Sequence, residues 1–248
     1  MRNKPPRTPR LFVEGPLRAG ARIALPPRAA HHASAVLRLR EGEQVIVFDG
    51  SGGEFGARIA SAARGRVEAD VAERREVERE SPLRVTLVQG VSSGERMDLT
   101  VQKAVELGVA AIQPVLAQRS LVKLDPKRAA ARVEHWRRIV LAACEQSGRN
   151  RVPAVLDVVS LADYCRAAPA GVRLMLSPGA SLGLRTAAAG IESVVALAAG
   201  PEAGFSADEE AMLIAAGFEP VRLGPRVLRT ETAALAALAA LNALAGDY

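Results

Sequence analysis

A chain of 248 residues, 49% hydrophobic and with a formal net charge of +6, can build one large domain or two modest ones, and two is the expected arrangement. Its apolar stretches fall short of the roughly 20 residues of a membrane span, and Met1–Phe12 lacks the apolar core of a secretory signal, so a soluble cytoplasmic protein without a membrane partner is expected. The only cysteines, Cys144 and Cys165, sit in helical apolar patterns and read as buried thiols rather than as a disulfide or metal site.

The first 40 residues hold nine Lys or Arg against one acidic residue, and a second basic run extends from Arg119 to Arg151. Clustered cations suit a polyanion, because each neutralised phosphate releases counterions. Solvated surface charge is the competing explanation. Strand-like segments follow at Arg22–Leu25, Gln44–Phe48, Phe55–Ala60 and Val67–Val71, broken by Pro26-Pro27, the run from Asp49 to Gly53, and Gly65. With a short helix over Ala30–Leu37, this spacing predicts a small β-barrel. The adjacent His31 and His32 point about 100° apart on a helix and have no third ligand near them, so no metal is expected. The charged run from Ala72 to Pro82 suits a linker, placed at 75–82 between a first domain of 1–74 and a second of 83–248.

From Leu83 the period changes. A strand over Val85–Gln89, a helix over Arg96–Leu107 closed by Gly108 and a strand over Ala111–Val115 are followed by a helix opening at Asp125-Pro126. Trp136, Val140 and Cys144 share the apolar face of that helix, which makes Trp136 a core residue. Further strands are predicted at Leu174–Leu176, leading into Ser177-Pro178-Gly179, and at Val194–Ala199, leading into Gly200-Pro201. Ser206 stands three residues before Glu209, the capping-box spacing, so a helix starts near Ala207 and ends at Gly217. A short strand over Pro220–Leu223 and the turn Gly224-Pro225 precede a last helix with Leu235, Leu238, Leu241 and Leu244 on its apolar side. The alternation predicts a mainly parallel sheet with helices on both faces. Glycine-bearing loops at the C-terminal ends of adjacent strands are where such sheets hold small ligands, although ordinary turns would look the same. Neither G-x-G-x-x-G nor a P-loop is present, which removes the usual nucleotide motifs.

The wording of two segments is more specific. GPEAGFSADE (200–209) followed by LGPRVLRTETAALAAL (223–238) resembles the signature of the 16S ribosomal RNA uridine-N3 methyltransferases, the RsmE family of the SPOUT superfamily. Arg10-Leu11-Phe12, His31-His32 with Val36-Leu37-Arg38, QKAVELGV (102–109) and EQSGRNRVP (145–153) match further family segments in order. One departure is Ala203, where the family usually has glycine; alanine fits if its φ is below zero.

The resemblance implies an α/β fold with a PUA-like RNA-binding β-barrel followed by a SPOUT domain, with a deep trefoil knot formed after Val194. It implies S-adenosylmethionine as cofactor and, as partner, 16S ribosomal RNA or the small ribosomal subunit. A homodimer is implied as well, with the C-terminal helix as one candidate surface, although core packing could equally use that helix. Methylation at N3 requires loss of the N3 proton, to a carboxylate or water, and stabilisation of charge on the ring oxygens, for which an arginine fork is suited. Family inference joined to this charge logic places Arg229 and Glu231 at the transfer, with a structural cap as the equal alternative for Arg229. Leu176, Ser177, Leu197, Gly200, Pro201, Leu223, Gly224, Val227 and Leu228 hold the cofactor, and Arg7, Arg10, His32, Arg38, Gln146 and Arg149 hold RNA. The alternatives are a 2′-O-ribose methyltransferase of transfer or ribosomal RNA, and a ribosome-assembly RNA binder without catalysis.

Overall fold

The computed structural model describes residues 8–63, 66–122, 124–167, 171–191 and 193–248. Gly65 and Arg7 lie outside them. The chain divides into two compact units, residues 1–80 with 144–152, and residues 81–143 with 153–248.

In the first unit, strands β1 (Arg10–Phe12), β2 (Arg22–Ala24), β3 (Gln44–Phe48), β4 (Glu54–Ala63) and β5 (Arg66–Arg75) form a sheet in the order β1-β3-β4-β5-β2. β1 is parallel to β3, and the other pairs are antiparallel. Alternate residues point to one face of a strand, and here they are Val45 and Val47, Phe55, Ala57 and Ile59, then Val67, Ala69 and Val71, which share one buried core with Leu11. The end strands β1 and β2, three residues each, do not pair with one another among the described residues, so the expected barrel is an open one. Helix α1 (Pro27–His31) passes into a π-helical turn over His32–Val36. Arg38 ends it at φ 55°, the single positive φ outside glycine among the described residues.

The charged linker predicted at 75–82 is not a solvated tether. β5 reaches Arg75, and beyond it Glu78 accepts from the Gly53 amide at 3.1 Å and from Arg151 Nε at 2.5 Å. Arg79 donates to Glu54 at 3.2 Å and to the Gly148 carbonyl at 2.8 Å, and Glu80 pairs with Arg149. Residues 148–151 supply most of the opposite charges and carbonyls, so residues 75–80 fold onto the first unit while Ser81 and Pro82 belong to the second, and the division is interleaved in sequence.

In the second unit, seven strands make one sheet: β6 (Arg84–Gly90), β7 (Ala111–Leu116), β8 (Ala154–Val155), β9 (Val159–Ser160), β10 (Val172–Leu176), β11 (Val194–Ala199) and β12 (Glu219–Val221). The order is β12-β10-β11-β6-β7-β8, with β9 also on β7, and every pairing is parallel. Helices α2 (Gly94–Glu106), α3 (Pro126–Ser147), α4 (Leu161–Arg166), α5 (Leu184–Ala187), α6 (Ala207–Ala215) and α7 (Thr230–Ala245) complete the chain, α3 giving its last four residues to the first unit. One face of the sheet packs with Leu161 and Tyr164 of α4 and Leu213 of α6. α7 lies against α2, β6 and β11 and buries Ala234, Ala237, Leu238 and Leu241. Of the leucine stripe offered as a candidate dimer surface, Leu238 and Leu241 are core, Leu235 is half-buried and Leu244 is exposed. Trp136 is buried, as its periodicity predicts.

Candidate functional site

A cavity of about 330 Å³ opens at the C-terminal ends of β10, β11 and β12, the edge at which parallel sheets bind ligands. Three bends line it: Leu176 to Pro178, Ala199 to Phe205, and Val221 to Thr230 without Pro225 and Arg229. Hydrogen bonds hold these bends together. Ser177 N–H donates to the Val221 carbonyl at 3.0 Å, Leu184 N–H to the Arg222 carbonyl at 3.0 Å, and Gly204 N–H to the Pro201 carbonyl at 2.9 Å.

Glycine is required at specific points. Gly204 and Gly224 have φ of 70° and 110°, a region that costs other residues about 1 to 2 kcal/mol. A Cβ on Gly200 would lie 2.8 Å from the Phe205 amide nitrogen. Ala203 is not among the residues with positive φ, so the left-handed position of the loop belongs to Gly204 and alanine fits at 203.

Beyond the loop, α6 starts with the predicted capping box. Ser206 Oγ accepts from Glu209 N–H at 3.2 Å, and Glu209 Oε2 accepts from Ser206 N–H at 2.9 Å. Glu209 Oε1 also accepts from Gln118 N–H at 2.7 Å, which satisfies a carboxylate that is 3% exposed. The loop itself is pinned through Glu202. Its Oε1 accepts from Ser93 N–H at 2.8 Å and Ser93 Oγ at 2.6 Å, with Arg96 Nη1 at 3.3 Å. Burial works to raise the Glu202 pKa, but the Ser93 and Arg96 hydrogen bonds outweigh it and hold the group below the usual carboxylate range.

Of the expected cofactor residues, Leu176, Ser177, Gly200, Pro201, Leu223, Gly224, Val227 and Leu228 line the cavity. Leu197 does not. It is fully buried within β11, two residues or about 7 Å of strand short of Ala199, where the lining begins. Arg229 and Glu231 flank the lining residue Thr230 without lining the cavity themselves. The Arg229 side chain is exposed at the N-cap of α7 with no hydrogen bond or ion pair among the described residues, while its carbonyl accepts from Ala233 N–H at 2.8 Å, and Glu231 is half-buried in the first helical turn with Oε2 enclosed and unpartnered. Glu202 and Arg226 went unassigned from the sequence. Both stand in the quoted segments, and a lone acid within a glycine loop is the signal that could have marked Glu202.

The expected RNA contacts fall differently. Arg10 is consumed inside the first unit, its Nη1 on Glu54 at 2.6 Å, its Nη2 on Asn150 Oδ1 at 2.5 Å and its guanidinium 4.9 Å from the Phe48 ring centre. The side chain of Arg149 is 5% exposed and its fork is occupied by Glu80. Both are engaged by partners within the first unit, and local sequence does not reveal which distant acid will neutralise a basic residue. Arg38 and Gln146 are exposed, and of the two histidines His31 is exposed while His32 is half-buried. No group of three metal-ligating side chains occurs among the described residues, and no described helix is long and apolar enough to cross a membrane.

Comparison with known proteins gives this geometry a context. A family model described as an RNA methyltransferase domain matches residues 79–242, and one described as an RNA methyltransferase PUA domain matches 25–72. The ribosomal RNA small subunit methyltransferase E of Bacillus subtilis is 34% identical over 220 residues, covering 86% of each chain. That of Buchnera aphidicola from Schizaphis graminum is 32% identical, covering 97% of this chain and 98% of its own. The crystal structure of a ribosomal RNA small subunit methyltransferase E from Neisseria gonorrhoeae bound to S-adenosylmethionine superposes with a TM-score of 0.90 at 40% identity, over 98% of this chain and 100% of that one. A Legionella pneumophila structure with the same bound cofactor gives 0.94 at 42%, with the same coverage.

Proposed function

This chain belongs to the ribosomal RNA small subunit methyltransferase E family, and from that premise we propose that it transfers a methyl group from S-adenosylmethionine to N3 of one uridine in 16S ribosomal RNA. The observation that carries this reading is the cavity at the ends of β10, β11 and β12, framed by GPEAG and LGPRVLRTET. Its size falls within the range of small-molecule sites. Its make-up also fits a sulfonium nucleoside, with backbone groups of tight bends beside Leu176, Leu223, Val227 and Leu228. Those bends would hold the nucleoside and amino-acid portions, and the bound cofactor supplies an activated methyl group without a metal.

The protein's own part is alignment and placement of charge. The Arg229 side chain, which has no partner among the described residues, faces the developing negative charge of the uracil oxygens, and Glu231 stands two residues away as the neighbouring carboxylate. Arg38 and Gln146 are the exposed members of the proposed RNA contacts, and His32 is a half-buried one. A homodimer and the family's trefoil knot belong to the same proposal; sedimentation equilibrium tests the first.

Calorimetric titration with S-adenosylmethionine and mass spectrometry of digested 16S RNA, from cells with and without the protein, test the reading. A base-methylated uridine lost with the protein supports it. A nuclease-resistant 2′-O-methyl nucleotide in its place refutes the N3 assignment, and absence of cofactor binding refutes the catalytic reading. Arg229→Ala is expected to lower kcat by at least about a hundredfold while leaving cofactor affinity near wild type. Loss of cofactor binding in that variant would remove Arg229 from the transfer step.

A further inference from the structure

Gln89, near the end of β6, is fully buried although its side chain is a primary amide. Such a group is costly inside a protein unless its donors and acceptor are met. Its Nε2 lies 3.1 Å from the Gly90 carbonyl, 3.1 Å from Thr230 Oγ1 and 3.4 Å from the Gly200 carbonyl, while Oε1 has no partner. Thr230 Oγ1 donates its one proton to the Gly200 carbonyl at 2.6 Å. The direction of the chain follows: amide to hydroxyl to carbonyl, with the hydroxyl using both its donor and its acceptor capacity.

The backbone at this point is equally close. A Cβ on Gly90 would lie 2.5 Å from the Pro201 nitrogen and 2.9 Å from the Gly200 carbonyl carbon, so the end of β6 lies directly against the bend. Gly200, Pro201 and Thr230 line the cavity, whereas Gln89 does not. Thr230 is the first residue of α7, and its hydroxyl is directed to another loop instead of to its own helix.

We propose that Gln89 and Thr230 are positioning residues that brace the Gly200-Pro201 bend against the start of α7 and so set the width of the methyl-donor cavity. The inference rests on the S-adenosylmethionine reading above. Without the hydroxyl, the Gly200 carbonyl loses its short hydrogen bond and the bend can drift from the first turn of α7, opening the cavity between them. The brace therefore acts on cofactor affinity more than on global stability.

Thr230→Val keeps the side-chain shape and removes the hydroxyl, whereas Thr230→Ser keeps the hydroxyl. The full chain and both variants are titrated calorimetrically with S-adenosylmethionine, their ligand-free unfolding midpoints are recorded, and cofactor KM and kcat are measured on small-subunit RNA. For Thr230→Val, cofactor affinity falls about tenfold, KM rises in step, kcat at saturation changes less and the unfolding midpoint stays near wild type. Thr230→Ser recovers affinity to within about twofold of wild type. Gln89→Leu weakens binding in the same direction, and its combination with Thr230→Val is less than additive because the two side chains act in one chain. Wild-type affinity in Thr230→Val, equal impairment of the Ser and Val variants, or a loss that merely tracks the unfolding midpoint would overturn the proposal. Failure of the wild-type protein to bind the cofactor is a different result, and it removes the methyl-donor reading together with the brace.

Discussion

Glu202 shows how one side chain can tie its own loop to a distant helix start. Three donors converge on Oε1, two of them from Ser93 at the N-cap of α2, where exposed amides favour an anion. Glu202→Gln keeps the size of the side chain and removes its charge, so the charge-assisted bonds become ordinary ones at a cost of about 1 to 2 kcal/mol. The pH dependence has a defined sign. The folded-state pKa is held below the ordinary value of 4.5, so this stabilisation is fully present above pH 4.5 and is lost as pH falls through the folded pKa. Thermal unfolding of wild type and Glu202→Gln at neutral and acid pH is therefore expected to show a gap that narrows below pH 4.5. A gap of equal size throughout would mean that the charge contributes nothing. The acid stands in GPEAG but went unassigned, because its partner Ser93 lies more than a hundred positions away in the sequence and no local pattern connects them.

Single elements carry their signals inside a few residues, and those signals were readable in proportion to their length. Val194–Ala199, an apolar run closed by Gly-Pro, is a strand over the predicted span, and Gln44–Phe48 likewise. The two-residue strands β8 and β9 and the four-residue helix α5 went unseen, because fewer than two turns or two alternations establish no period. Capping chemistry is the exception, since it is local and specific. Ser206 with Glu209 located the start of α6 at Ala207. Ser206→Ala removes one cap hydrogen bond and is expected to cost about 1 kcal/mol in urea unfolding. Glu209→Ala is expected to cost more, because it also strips the acceptor from the Gln118 amide on a different loop. Equal losses for the two variants would show that the tie to Gln118 contributes no stability.

At the scale of the whole molecule, the division into units does not follow the chain, and the departure has a chemical readout. Residues 144–152 are counted with residues 1–80. Within that unit Glu145 Oε1 accepts from the Phe12 amide at 2.9 Å and Arg28 Nη2 at 2.6 Å, Arg149 pairs with Glu80, and Asn150 Nδ2 reaches the Val77 carbonyl at 2.5 Å. These partners lie some 70 to 130 residues upstream, which is why EQSGRNRV read as an open polar helix end and not as part of a buried ion network. Cys144 lies at the start of the same segment. It is fully buried, and burial is the main cause that pushes its thiol up to about 12, with Glu80 and Glu145 adding to the rise and Arg149 and Arg10 opposing it. Only the thiolate alkylates rapidly, so Cys144 in the full chain is inert near pH 8 on both counts, access and ionisation. A fragment of residues 81–248 keeps the catalytic stretch but removes the partners of Glu145, Arg149 and Asn150, so the last turn of α3 loses its tertiary contacts and frays. Peptide mass spectrometry after iodoacetamide treatment near pH 8 is expected to find Cys144 protected in the full chain and alkylated in the fragment. Protection of Cys144 in both would mean that residues 144–152 hold their fold without the first 80 residues, and a contiguous two-domain division would then describe the molecule better.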